Sequence, residues 1–117
     1  MRKSGLMTDH EWSDEDGSAG MAGFFRRIYP SQTAQNVAAD TGLPFDSVRK
    51  WVNLETRPSF SALMTLTGHY GPALLAAMYR RAPEWLDRAV RDEEIAALDR
   101  QAEVISRRRA ALERADA

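Results

Sequence analysis

Residues 33–63 read TAQNVAADTGLPFDSVRKWVNLETRPSFSAL, and this stretch determines the fold that we expect. Ala38 lies four residues before Gly42, and Val48 and Trp51 follow at a helical spacing of three. A glycine permits the left-handed backbone conformation that a tight turn between two helices often requires. The stretch therefore predicts two short helices that pack against each other across a turn.

The same residues meet the requirements of a helix-turn-helix unit, which needs fixed side-chain types at fixed offsets. A small residue, Ala38, is placed where the second helix crosses the first, and Leu43 follows the turn as an apolar plug. Val48 and Trp51 anchor the second helix, so its opposite face is left polar. We therefore predict a helix-turn-helix unit from about Ala34 to Asn53.

Proline, glycine and capping residues predict the other helices around this unit. A first helix is expected from Met21 to Pro30, and Ser31 or Thr33 is expected to cap the second. Further helices are expected to begin after Ser59 and at Pro72. The predicted fold is all-α, with a disordered acidic arm at 1–20, a compact five-helix domain at 21–82 and a long C-terminal helix at 83–117.

Composition excludes several classes of function. The 117 residues have a net charge of −1 and no cysteine, which excludes disulfides and thiolate metal sites. No apolar run reaches the roughly 18 residues that span a bilayer. The sequence shows no catalytic constellation, cofactor motif or metal-ligand spacing around its two histidines. We therefore expect a cytoplasmic, nucleoid-associated protein that is not an enzyme, has no cofactor or metal and does not contact a membrane.

Charge is distributed unevenly along the chain. Residues 24–57 carry five basic and three acidic side chains, a net of +2, whereas residues 1–23 carry two basic and five acidic ones, a net of −3. Residues 80–117 carry nine of each sign. The helix-turn-helix region is thus the basic one, but its field is weak, which predicts modest attraction to a polyanion.

The stretch 33–63, with its VAADTG turn and its V..W core, resembles the lambda repressor/Cro-like (XRE-type) helix-turn-helix family of phage and bacterial regulators. The resemblance extends over about residues 24–80. It implies a compact lambda-repressor-like five-helix domain that binds double-stranded DNA, with residues 45–53 as the recognition helix in the major groove. Ala34 departs from the family pattern, in which a glutamine is frequent, and so does Phe45, where polar residues are usual.

The resemblance implies a set of DNA contacts. Arg49 is the first candidate for a guanine contact, and Asp46 either accepts from a cytosine or orients its basic neighbours. Lys50 can reach a guanine or a phosphate. The alternative is that Arg49 and Lys50 form an ordinary solvated helix face. The predicted DNA-binding residues are Thr33, Gln35, Phe45, Asp46, Ser47, Arg49, Lys50, Asn53 and Arg57.

The C-terminal segment lacks glycine and proline from residue 84 onward and carries a narrow apolar stripe, formed by Ile95, Leu98, Ala102, Ile105 and Leu112. Such a stripe needs a partner helix. The partner is either a second copy, which makes a homodimer, or helices one and five of the same chain. A different protein bound through this helix is a further alternative.

The function that we expect is a sequence-specific transcriptional regulator, such as a phage or prophage repressor. Two alternatives remain. One is the DNA-recognition subunit of a phage packaging machine, which would form rings. The other is a protein-interaction module, such as an antiactivator, built on the same fold.

Overall fold

A computed structural model describes residues 12–116, and all regular structure in this range is helical. The six helices are α1 (Asp14–Ile28), α2 (Thr33–Thr41), α3 (Phe45–Val52), α4 (Phe60–Tyr70), α5 (Pro72–Ala77) and α6 (Glu84–Asp116). The first five helices surround one apolar core, and α6 continues from the end of α5. Within the described range, no helix is long and apolar enough to cross a membrane.

Helix α1 begins within the segment that the sequence assigned to a disordered arm. Ser13 is its N-cap, and the Ser13 hydroxyl accepts a hydrogen bond of 3.1 Å from the Asp16 backbone amide. Three acidic residues occupy the first turn, where they stabilise the positive end of the helix dipole. The predicted arm is therefore wrong for residues 14–20, and its residues 1–11 lie outside the described range.

Glycines allow this first part of α1 to pack closely on its neighbours. The ring of Trp12 lies over Gly17, which is buried. One turn later, a Cβ atom at Gly20 would lie 2.0 Å from the carbonyl oxygen of Ala77 at the end of α5. Helix α1 is thus in backbone contact with α5, and a side chain at residue 20 would separate the two helices.

The core is built around the centre of α1. Phe25, Val37, Val48, Leu66 and Leu74 have no solvent exposure, and they come from α1, α2, α3, α4 and α5 respectively. Each such side chain stabilises the fold by about 1.5–3 kcal/mol relative to an exposed position. Since every one of the first five helices contributes, they form a single cooperative body.

Helix α2 begins differently from the prediction. Its N-cap is Gln32, which has a φ of 51° and makes no side-chain cap. Neither Ser31 nor Thr33 caps the helix, because the Thr33 hydroxyl donates instead to the Tyr29 carbonyl at 2.6 Å. The left-handed conformation of Gln32 changes the chain direction just before α2, so Thr33 lies in the first turn of the helix rather than before it.

Helix α6 departs from the body of the protein. Leu86, in its first turn, is 1% exposed and is the one buried residue of the helix among residues 84–116. In the described range, α5 is the only helix with which α6 packs. The alternative in which α6 folds back over both α1 and α5 is therefore not the arrangement found.

Candidate nucleic-acid interface

The turn between α2 and α3 has the geometry that the sequence predicts. Gly42 adopts a left-handed conformation with a φ of 77°, and its amide donates to the Ala38 carbonyl at 2.9 Å. The amide of Leu43 donates to the Thr41 hydroxyl at 3.3 Å, and the Leu43 side chain packs against the core. Pro44 then precedes α3 in an extended conformation. These contacts hold the start of α3 at a fixed angle to α2.

Helix α3 has one buried and one exposed face. Val48, Trp51 and Val52 are buried, with exposures of 0%, 5% and 6%. At 100° per residue, the opposite side of the helix carries Asp46, Lys50 and Asn53, and Arg49 lies at its edge. The core therefore fixes which polar side chains α3 presents outward.

Arg49 is held by carboxylates on both sides. Its Nη2 atom lies 3.1 Å from Asp46 Oδ1, and its Nη1 atom lies 3.9 Å from Glu55 Oε2. Since all three side chains are substantially exposed, each pair contributes little to stability. The pairs instead hold the guanidinium between Asp46 and Glu55, with the Arg49 side chain 39% exposed.

The next two polar residues of α3 among the predicted contacts are Lys50 and Asn53. No ion pair joins Lys50 to any residue between 12 and 116. Asn53 is the exposed C-cap of α3, and its amide donates to the Arg49 carbonyl at 3.0 Å. Lys50 is half-buried, and of the three predicted cationic contacts it is the one without an ion pair in this range.

Arg57, predicted to contact a phosphate, is paired with the start of α1. Its Nη1 atom lies 3.2 Å from Asp14 Oδ2, and both side chains are more than half exposed. This pair is not predictable from the sequence, in which Asp14 falls within the expected arm. Together with Glu15, Leu54 and Glu55, Arg57 also lines a cavity of about 450 Å³ between α1 and the loop after α3.

The other four predicted residues differ in their exposure and in their contacts. Phe45 is 44% exposed at the first residue of α3, and Gln35 is exposed on α2. Ser47 is half-buried and lines a groove of about 310 Å³ between α3 and α4. Thr33 uses its hydroxyl internally, as described above. Thr33 and Ser47 are therefore less accessible to a ligand than Gln35 and Phe45.

Two features near α3 escaped sequence reasoning. Arg26 of α1 donates from Nη2 to the Val52 carbonyl at 3.0 Å, which satisfies an acceptor at the open C-terminus of α3. Leu54, just after α3, has a φ of 64°, although it is not a glycine. Such a conformation costs an L-residue about 1–2 kcal/mol. Leu54 is also 55% exposed. Neither feature has a local sequence signal.

A polar cluster joins three helices behind the unit. The Tyr29 hydroxyl hydrogen-bonds to the Asp40 carboxylate and lies 3.3 Å from the Tyr70 hydroxyl. Burial, followed by the hydrogen bond to Asp40, raises the pKa of Tyr29 well above its ordinary value. Burial also raises the pKa of Tyr70. Both phenols therefore stay neutral at physiological pH and brace the ends of α1, α2 and α4.

The exposed surface around α3 is nearly neutral. Arg49, Lys50 and Arg57 are matched in number by three acids, which are Asp14, Asp46 and Glu55. A polyanion would therefore meet little net attraction and would have to compete with existing ion pairs.

No protein-family model, curated protein or solved structure matches the chain.

Proposed function

We propose that the protein is a transcriptional regulator that binds double-stranded DNA sequence-specifically with α3 in the major groove. The supporting observation is the two-faced character of α3. Its inner face is fixed in the core by Val48 and Trp51, while a polar face with Arg49 and Lys50 is presented outward. The lambda-repressor-like arrangement of the five helices is part of this proposal, as is its placement in the cytoplasm on the nucleoid.

Within this proposal, Arg49 reads a base and Asp46 positions it. A guanidinium held 3.1 Å from a neighbouring carboxylate samples few rotamers, so less side-chain entropy is lost when it pairs with a guanine. Lys50 contacts a phosphate or a guanine. Asn53 and Arg57 contact the backbone where the chain leaves the groove.

The test is a titration of the full chain on random duplex DNA at low and moderate salt, with an Arg49→Ala/Lys50→Ala variant. Each phosphate contact contributes about 0.9 to the slope of log affinity against log salt. We expect the variant to bind roughly tenfold more weakly or worse, with a slope that is lower by about 1–2.

The control variant is Arg88→Ala/Arg114→Ala, which removes two exposed arginines of α6 and so changes the net charge equally. It should bind DNA nearly as well as the wild type. Equal losses in both variants would indicate a general charge effect and contradict a role for α3. No binding by the folded wild-type chain at low salt would reject the proposal.

The second candidate is a protein-interaction module, and the charge balance around α3 favours it. Arg49 is already engaged by Asp46 and Glu55, as expected for a solvated helix face. In this case the same titration shows no salt-dependent DNA binding, and the exposed apolar side chains of α6 are the surface on which to seek a partner.

A further inference from the structure

Five of the eleven exposed large apolar side chains of the described residues lie on the projecting part of α6. Ile95, Leu98, Val104, Ile105 and Leu112 are each between 56% and 66% exposed. After its first turns the helix packs on nothing else in the range 12–116. Residues 91–116 therefore extend from the body over about 39 Å, at 1.5 Å per residue.

Four of these side chains fall in one line. The line contains Ile95, Leu98, Ile105 and Leu112 together with the smaller Ala102. It follows the alternation of three and four residues that forms the contact line of a two-stranded coiled coil, with Arg109 as an interruption. A long helix with such a stripe is poorly stabilised by itself, because its apolar face stays in water. The stripe thus predicts a helical partner.

Charge is segregated along the same helix. Residues 92–99 contain Asp92, Glu93, Glu94 and Asp99 and no basic residue, a net of −4. Residues 100–109 contain four arginines (100, 107, 108 and 109) and one acid (Glu103), a net of 4 − 1 = +3. The helix therefore has an acidic half, which we define as residues 92–99, followed by an arginine half, residues 100–109.

This segregation selects one orientation for a partner with the same sequence. In a parallel pair each half would face its own copy, so Glu94 would lie near an acidic Asp99 and the two arginine halves would lie side by side. In an antiparallel pair the acidic half of each helix faces the arginine half of the other. Like charges repel and opposite charges attract across such an interface, so the antiparallel pair is favoured.

We propose that α6 pairs with α6 of a second copy of this chain in antiparallel orientation, with the acidic half of each copy on the arginine half of the other. Ile95 comes near Ile105 of the second copy and Leu98 near Ala102, so the two apolar stripes cover each other from residue 95 to residue 105. The two helix-turn-helix bodies lie at opposite ends of the paired helices. This pairing does not depend on whether α3 binds DNA.

Charge reversal tests the orientation. The acid-reversed variant is Asp92→Lys/Glu94→Lys/Asp99→Lys, and the base-reversed variant is Arg107→Glu/Arg108→Glu. In the antiparallel pair each variant places like charges together, so we expect self-association of each to weaken about tenfold or more. The chain that carries both sets of substitutions restores attraction and should dimerise within about threefold of the wild type.

Sedimentation velocity across a wide concentration range measures these dissociation constants, and circular dichroism checks that each variant keeps its helices. In a parallel pair, the single reversals leave like charge on like charge and change little. Unchanged association of both single variants would therefore overturn the proposed orientation. A wild-type chain that stays monomeric throughout would overturn the pairing itself and would leave residues 1–11 or another protein to cover the stripe.

A second measurement uses the absence of cysteine from the sequence. Spin labels on Arg100→Cys and on Arg114→Cys, in separate samples, report the distance between copies. In the antiparallel pair the labels at residue 100 lie near the centre, whereas those at residue 114 are separated by about 30 Å or more along the axis. Equal distances at both positions would show a parallel pair and refute the proposal.

Discussion

Substitution of Gly20 by alanine tests whether α1 packs on α5 as described. A Cβ atom at this position would lie 2.0 Å from the Ala77 carbonyl oxygen and 2.9 Å from the Met78 Cα atom. Both atoms belong to the backbone, so no side-chain rotation relieves the overlap. Ordinary contact begins at 3.4 Å, so the two helices must separate by more than 1 Å.

The expected magnitude has two opposing parts. Alanine favours a helix over glycine by about 1 kcal/mol, which stabilises the substituted chain. Overpacking of a well-packed interface costs about 1–3 kcal/mol, and a backbone clash lies at or beyond the upper end of that range. We therefore expect Gly20→Ala to lower the free energy of unfolding by about 2 kcal/mol, which corresponds to a Tm lower by roughly 8 °C for a domain of this size.

Gly23→Ala is the control, because it lies on the same helix and its Cβ would meet only the Arg27 side chain at 3.7 Å. This variant should gain the helix-propensity term alone and be more stable by about 1 kcal/mol. Urea denaturation monitored by circular dichroism measures both changes. If Gly20→Ala stabilises the protein as much as Gly23→Ala does, α1 is not in backbone contact with α5 at Gly20.

Two further predictions concern the turn and the polar cluster. Gly42→Ala should lower the free energy of unfolding by about 1 kcal/mol, as measured by thermal denaturation. The φ of 77° at this position strains an L-residue, although no atom would lie within 4 Å of the new Cβ. Gly68→Ala, also in open space but with ordinary helical backbone, should not be destabilising. Since burial raises the pKa values of Tyr29 and Tyr70, stability should be full below about pH 10, the unfolded value, and fall at higher pH. Tyr29→Phe should flatten that decline in urea titrations at successive pH values, and an unchanged slope would count against the cluster.

Much of the fold follows from breaks and periodicity that are visible in the sequence. Ser59 caps α4, Gly71 and Pro72 separate α4 from α5, and α6 begins at Glu84, all as expected. The burial of Val48 and Trp51 also agrees with their spacing after Gly42. These features are local, because each depends on residues within one or two helical turns.

The start of α1 was predicted wrongly because its composition misleads. Glycines at 17 and 20 and a run of acids are typical of an unstructured arm. In the structure the glycines allow close approach of α1 to its neighbours, and the acids follow the Ser13 cap. A serine followed by three acidic residues is itself a helix-start signal, and it could have been recognised.

The surroundings of Arg49 were only half predictable. Asp46 lies three residues earlier on the same helix, so its pairing with Arg49 follows from helical spacing. The approach of Glu55 depends on the path of the loop after α3, and the Arg57–Asp14 pair joins residues far apart in the sequence. Contacts of this kind depend on how helices are packed, which no short window of sequence specifies.

The packing of α1 has a mechanical consequence. Among the helices of residues 12–116, α6 packs on α5 alone, α5 packs on α1, and α1 packs on α3 and also donates from Arg26 to its last turn. Torque applied to the projecting helix therefore enters the body through α5 and through the ion pair of 2.7 Å between Arg80 and Asp16 of α1, and its shortest path to α3 runs along α1. A partner that twists the C-terminal helix would therefore act on α3 through α1, without touching α3.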